Sequence, residues 1–218
     1  MGATLEALRP ALREVIVRLA LEVPEVQVDA LLAYLSLLQR WNATYNLTAV
    51  REPAQMLTQH VADCLAVIGP LRRALGAGPS SVLDVGSGGG LPGVVMAILN
   101  PAVTVTCVDT VGKKAAFVRQ VAGELRLSNL RAVHSRVEQM EAESFDLVTS
   151  RAFASLAEFI QLTSARLAEH GVWMAMKGKA PVDELTQLPA AIDVFHVEQI
   201  AVPGLDAERC IVWMRPKR

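Results

Sequence analysis

The sequence predicts an α/β protein in which a mostly parallel sheet of seven strands follows a helical extension. Three observations carry this reading. The apolar period is helical up to about Leu75 and changes at Ser81 to short apolar runs separated by helical segments. The stretch SVLDVGSGGGLPG, from Ser81 to Gly93, passes from strand through a glycine-dense turn into a helix. That order opens a nucleotide-type cofactor site at the edge of a doubly wound sheet. Two apolar runs near the C-terminus are joined by a link too short for a crossover helix, so that pair is expected to be antiparallel.

In the extension, Leu5, Leu8, Leu12, Val15, Ile16 and Leu19 share a helical face that Pro24 is expected to end. Leu31, Leu35 and Leu38 continue in a second helix, flanked by Tyr34 and Trp41. Trp41 to Thr48 (WNATYNLT) reads as a polar and aromatic connector, either anchoring the extension to the sheet or contacting substrate or cofactor. A third helix is expected from Pro53, through Met56, Val61 and Leu65, to a close at Gly69-Pro70. Strands are expected at 82–86, 103–108, 130–134, 146–150 and 172–176, then at Val194 to Val202 and Arg209 to Met214. A helix should start at Pro92, where the missing N–H costs nothing. Phe117, Val121 and Leu125 mark another, and Ser155 with Glu158 forms a capping box for one reaching Leu167. The expected division is an extension over 1–75 and a Rossmann-like region over 76–218, packed as one unit.

With 218 residues, 52% of them hydrophobic and 20% charged, the chain can bury a real core. A net charge of −1 excludes a globally basic nucleic-acid binder but permits a local basic patch. The three cysteines and four histidines have neither disulfide nor metal-ligand spacing, so no metal is expected. Charged residues at 6, 9, 13 and 14 argue against a signal peptide, and Glu6 against myristoylation after Gly2. The uncharged run 85–108 is broken by glycines and prolines and does not read as a membrane span. A cytoplasmic protein is the expectation.

Asp109 stands 23 positions after Gly86, at the end of the second strand, where an acid bonds a ribose; a helix cap is the plainer role. The glycines allow two registers. Gly86, Gly88 and Gly90 give GxGxG, while Gly88, Gly90 and Gly93 give the GxGxxG of nicotinamide enzymes. Asp84 favours the first, because methyltransferases that use S-adenosylmethionine often carry an acid there, orienting the loop or meeting the cofactor's amino end.

WNATYNLT, LDVGSGGGLPG, VDTVGKKAAF, SRVE at 135–138, SRAFASL at 150–156 and MKG at 176–178, with a weaker VPGLDAER at 202–209, run in order along the chain. Together these motifs resemble one family, the small-subunit ribosomal RNA guanine-N7 methyltransferases (RsmG, also called GidB). SRAFASL and WNATYNLT are not shared by methyltransferases in general. Gly89 departs from the family, which often has proline there; both suit a tight turn.

The resemblance implies a class I S-adenosylmethionine-dependent methyltransferase fold and methylation of guanine N7 at position 527 of 16S rRNA, in the 530 loop. It places cofactor contacts at Gly86, Leu91, Val137, Glu138 and Arg151, beside Asp84, Gly88 and Asp109. Guanine N7 carries an in-plane lone pair and no proton, so an in-line displacement needs orientation and no general base. Arg151 and Lys177, each just past a strand end, are the candidates to bond guanine O6. Their plainer roles are a structural ion pair and an exposed phosphate contact.

The partner implied is 16S rRNA within the 30S subunit or an assembly intermediate. Arg72, Arg73, Lys113, Lys114, Arg119, Lys177 and Lys179, with Arg215, Lys217 and Arg218, are the expected phosphate-binding patch at the sheet's carboxyl edge. Two other functions compete: a nicotinamide oxidoreductase using the second glycine register, and a ribosome-binding protein without catalysis.

Overall fold

The computed structural model describes residues 6–151, 153 and 155–217. Leu5, Gly2, Ala152 and Ala154 of the SRAFASL segment, and Arg218, lie outside the described residues. The extension comprises α1 (Arg9–Arg18), α2 (Glu25–Tyr45), α3 (Pro53–Met56), a π-helical turn (Leu57–Ala62), α4 (Asp63–Leu65) and α5 (Ile68–Leu75). Then come β1 (Ser80–Val85), α6 (Gly93–Leu99), β2 (Val103–Asp109), α7 (Gly112–Glu124) and β3 (Leu130–His134). After a 3-10 turn (Val137–Gln139) follow β4 (Phe145–Ser150), α8 (Leu156–Thr163), β5 (Leu167–Lys177), α9 (Val182–Thr186), β6 (Ile192–Ile200) and β7 (Arg209–Pro216).

One seven-stranded sheet has the order β3-β2-β1-β4-β5-β7-β6, with β7 antiparallel to both its neighbours. The Rossmann-like expectation holds, including the antiparallel C-terminal pair. Alternate residues along a strand enter opposite cores. On β1, Val82 faces the layer of α1, α2, α6 and α7, while Leu83 and Val85 face that of α8 and the 3-10 turn. Burial on both sides is why the strands read as continuous apolar runs. The chain builds outward from β1 to β3 and returns to β4 beside β1, so the carboxyl ends of β1 and β4 flank the switch point where such sheets bind ligands.

Several boundaries differ from the sequence reading. The first helix ends at Arg18 with Leu19 as its cap, before Pro24, because Ala20 turns left-handed (φ 51°) and Leu21 N–H bonds back to the Ile16 carbonyl at 3.1 Å. Pro24 instead caps the start of α2. Trp41 to Tyr45 belong to α2, whose end is set by left-handed Asn46 (φ 51°). Gly69-Pro70 lies in the first turn of α5, where a proline lacks nothing the helix needs, and so opens a helix instead of closing one. Pro92 stands one residue before α6, as its cap. Leu167 begins β5 rather than ending α8.

The basic patch also divides. Arg72 donates to the Leu99 carbonyl and Asn100 Oδ1, both at 2.8 Å, at the far end of α6 and thus at the amino edge of the sheet. Arg73 pairs with Glu198. Arg215 and Lys217 end the antiparallel β7 and reach the same amino edge, with Arg215 held by Asp193 at 2.9 Å. Arg72, Arg215 and Lys217 are removed from the carboxyl-edge patch by strand direction, and Arg73 is neutralised by Glu198 on β6. Lys113, Lys114, Lys177 and Lys179 remain at the carboxyl edge, and exposed Arg119 lies one turn further along α7.

Candidate active site

The glycine turn is pinned from below and from both sides. Gly86 N–H and Ser87 N–H both donate to the Val108 carbonyl, at 2.9 and 3.2 Å, joining the loop to the end of β2. Gly86 has φ 67°, a conformation that a side chain would strain. Asp109 Oδ2 accepts from Gly88 N–H at 2.9 Å, while its Oδ1 accepts from Val111 N–H at 2.8 Å. Asp109 therefore clasps the glycine loop to the turn that leads into α7. Under the turn, fully buried Asp84 accepts from Gly93 N–H at 2.8 Å through Oδ2, and its Oδ1 has no partner among the described residues. A methyl at Gly93 would come within 2.4 Å of Cys107 Sγ and 2.9 Å of Asp84 Oδ2. Gly93 thus serves close helix packing, and the turn itself uses the Gly86, Gly88 and Gly90 register.

The extension holds the loop from outside. Tyr34 on α2 is fully buried and its hydroxyl donates to the Gly89 carbonyl at 2.6 Å. Tyr34→Phe should weaken cofactor binding by about 1–3 kcal/mol by leaving that carbonyl unpaired. Calorimetric titration of cofactor checks this, and unchanged affinity would remove the extension from the site. The WNATYNLT segment anchors the extension, as expected of it, and its end reaches a cavity wall. Trp41 packs on Phe117 of α7 (5.4 Å between centroids). Buried Asn42 donates to the Val50 carbonyl at 2.9 Å and accepts from Thr48 N–H at 2.8 Å, folding the following loop so that Leu47 and Thr48 wall a cavity.

That cavity, about 180 Å³, is lined by Gly86, Ser87, Gly88, Gly89, Leu91, Leu38, Leu47, Thr48, Lys114 and Arg151. Of the expected cofactor residues it gathers Gly86, Gly88, Leu91 and Arg151. Lys114, expected in the RNA patch, lies here too. Val137 and Glu138 sit beyond Asp109, whose carbonyl accepts from Ser135 N–H at 3.2 Å. Val137 is buried; exposed Glu138 pairs with Arg136 at 2.8 Å.

A second cavity, about 420 Å³, opens on the other side of Arg151. The π-helical turn and α4 supply Gln59, His60 and Asp63, the ends of β4 and β5 supply Arg151, Met176 and Lys177, and the start of β7 supplies Arg209. Asp63, 4% exposed, takes Arg209 Nε at 2.8 Å and Arg151 Nη1 at 3.5 Å. His60 Nε2 lies 2.7 Å from Thr48 Oγ1, and its Nδ1 lies 3.5 Å from Arg151 Nη1. Burial, then the charge of Arg151, holds the His60 imidazole below its ordinary pKa, in the neutral form. Lys177 lines this cavity but is gripped by both Glu184 oxygens, at 3.0 and 2.9 Å. Gln59, His60, Asp63 and Arg209 were not foreseen. For Arg209 a clue existed: an antiparallel strand presents its beginning at the edge where its neighbours end.

All three cysteines are free and buried, and burial raises their pKa values, so none is a thiolate nucleophile. Among the described residues no group of three or more His, Cys, Asp or Glu side chains is placed to hold a metal ion. No helix among them is long and apolar enough to cross a membrane.

Residues 27–212 match the family model of GidB, rRNA small subunit methyltransferase G. The chain is 58% identical over 212 residues to the ribosomal RNA small subunit methyltransferase G of Methylibium petroleiphilum, covering 97% of this chain and 96% of the relative. It is 62% identical over 193 residues to the protein of the same name from Leptothrix cholodnii, covering 88% of each. Among solved structures it resembles a SAM-dependent methyltransferase from Aquifex aeolicus (TM-score 0.57, 14% identity, 78% of this chain and 96% of that one). It also resembles TrmN from Thermus thermophilus (TM-score 0.57, 18% identity, 71% of this chain and 49% of that one). At those identities the solved structures speak to the fold alone.

Proposed function

The chain belongs to the small-subunit rRNA methyltransferase G family, and we propose that it moves the methyl group of S-adenosylmethionine to N7 of a guanine in 16S rRNA, at position 527 in the 530 loop. The observation that carries this reading is Arg151, which walls both a glycine-lined cavity and a larger cavity rich in side-chain donors. A methyl donor and an acceptor base must meet across one such boundary.

The residues present fit the cofactor. Bare backbone from Gly86 to Gly89, with Leu38, Leu47 and Leu91, suits the methionine portion. At about 180 Å³ this cavity is smaller than the roughly 300–1,000 Å³ of sites that enclose a whole drug-sized ligand. The adenosine end therefore belongs beyond it, with Asp109 for the ribose and Val137-Glu138 for the adenine. Each Asp109 oxygen already accepts one backbone N–H and keeps a second acceptor site. Asp84, sealed beneath the loop, holds its shape. When bound, S-adenosylmethionine supplies an electrophilic sulfonium methyl.

The chain's own residues orient the acceptor. Arg151 donates to guanine O6, which lies on the same ring edge as N7 and so turns N7 toward the glycine loop. No side chain must take a proton from N7, which has none. Cations at Lys113 and Lys179, exposed at the carboxyl edge, meet the phosphates.

The test is labelled methyl transfer onto 30S subunits lacking the modification, followed by mapping of the modified base. Label at guanine N7 of the 530 loop supports the reading. Cofactor binding without transfer to naked rRNA, assembly intermediate or 30S would favour a non-catalytic ribosome-binding role. Asp109→Ala should weaken cofactor binding by about 1–3 kcal/mol, since it removes the ribose acceptor and leaves two backbone donors unpaired. Unaltered binding would sink the ribose assignment.

A further inference from the structure

We infer that Asp63 and Arg151 act together as the guanine-selecting pair, Arg151 donating to O6 and Asp63 accepting the N1–H of the same base. The inference rests on the acceptor cavity being the guanine site. Within that cavity the two side chains stand side by side, with Arg151 Nη1 3.5 Å from Asp63 Oδ2. That separation is long for a charge-assisted hydrogen bond. Arg209 holds the other carboxylate oxygen at 2.8 Å, which fixes the carboxylate, and Oδ2, whose contact with Arg151 is long, is the oxygen with more acceptor capacity to spare. A buried carboxylate whose second oxygen has no donor closer than 3.5 Å among the described residues, on the wall of a cavity, is placed to receive one.

Guanine supplies it. A base taken out of its stack is read on its Watson–Crick edge. There guanine offers an acceptor, O6, next to a donor, N1–H. The protein offers a donor, Arg151, next to an acceptor, Asp63, and the patterns interlock. Adenine reverses both, with an amino donor at position 6 and a bare N1 acceptor. Against adenine, the arginine meets a donor and the carboxylate meets a lone pair. Sites built to bond a polar hydrogen reject analogues that lack it strongly, because the buried partner is stranded. Phosphate contacts along the carboxyl edge carry no such information.

The pair is tested with the full-length protein in single-turnover transfer to undermethylated 30S subunits carrying guanine, inosine or 2-aminopurine at the target position. Inosine keeps O6 and N1–H, whereas 2-aminopurine lacks both and keeps N7 and the 2-amino group. The wild-type protein should accept inosine within about threefold of guanine and 2-aminopurine at least roughly 100-fold more slowly. Asp63→Asn should narrow the guanine to 2-aminopurine ratio at least about tenfold, with cofactor affinity retained, and Asp63→Glu should restore most of it. Equal slowing on every base by Asp63→Asn, the mark of a merely structural ion pair, overturns the inference. So does wild-type indifference to 2-aminopurine, which needs no variant to fold. Loss of wild-type transfer to guanine itself counts against the acceptor assignment, and the inference falls with it.

Discussion

Arg151→Ala is expected to slow methyl transfer by about 10²–10³-fold, a cost of roughly 3–4 kcal/mol in the transition state, comparable to removing one preorganised donor from an enclosed site. The size follows from its position. Arg151 stands between the two cavities, three-quarters buried, held by Asp63 at 3.5 Å and by the Gln59 carbonyl at 3.3 Å. Neutral His60, itself tethered to Thr48, lies against it at 3.5 Å and leaves the guanidinium few alternatives. Removing it deletes the proposed O6 donor and also leaves Asp63 with Arg209 as its remaining cationic partner among the described residues. The transfer rate should therefore fall more than cofactor affinity does. Arg151→Lys should recover little, because a point-like ammonium does not reproduce a planar fork held on several sides. The measurement is single-turnover transfer at saturating cofactor, beside equilibrium cofactor binding. Equal losses in both would make Arg151 a cofactor ligand alone.

The sheet was legible because both faces of its inner strands are buried, which imposes apolar runs on β1, β2, β4 and β7, and because glycine and Asp109 fall where a switch point requires them. Helix boundaries were less so. The end of α1 is set by a left-handed alanine, a residue with no compositional mark, and Leu167 is equally at home ending a helix or opening a strand. The strand-end residues of the candidate site, Gly86, Gly88, Asp109, Arg151 and Lys177, could be named from order along the chain and from family resemblance. The rest of the site could not. Asp63 lies 88 residues from Arg151 and 146 from Arg209, and only the packing of the extension against the sheet brings them together. In the sequence, Gln59 to Asp63 is an ordinary amphipathic stretch. The π-helical turn there leaves no signature in residue types, yet it carries Gln59 and His60 to the cavity wall, with Asp63 directly following. The patch divides for two reasons: strand direction carries Arg72, Arg215 and Lys217 to the amino edge, and an ion pair with Glu198 occupies Arg73.

Asp84 gives the largest expected effect on stability, and it depends on pH. Burial beneath the glycine loop pushes its carboxyl up to about 7, against the opposing pull of the Gly93 N–H and then of Arg151. The folded chain thus holds a proton at Asp84 that the unfolded chain, with an ordinary carboxyl near 4, releases. Between those values the native state binds more protons, so stability falls as pH rises through about 4 to 7 and the whole penalty is present above 7. Three units at 1.36 kcal/mol each put that penalty on the order of 4 kcal/mol. Asp84→Asn keeps the shape and an oxygen for Gly93 N–H but cannot ionise. Its stability relative to wild type should accordingly increase from pH 5 to pH 8 in urea unfolding, and a difference that stays flat would mean the carboxyl titrates normally. The same balance ties this group to the site. Arg151 is one of the forces that favour the ionised carboxylate, so Arg151→Ala should steepen the wild-type loss of stability above pH 7. A cationic cofactor bound over the loop acts in the opposite sense, drawing the proton off Asp84, and its binding should release a fraction of a proton near pH 7 that the Asp84→Asn protein does not release. Calorimetric titration in buffers of different ionisation enthalpy measures that fraction directly, and equal proton release by both proteins would uncouple Asp84 from the cofactor.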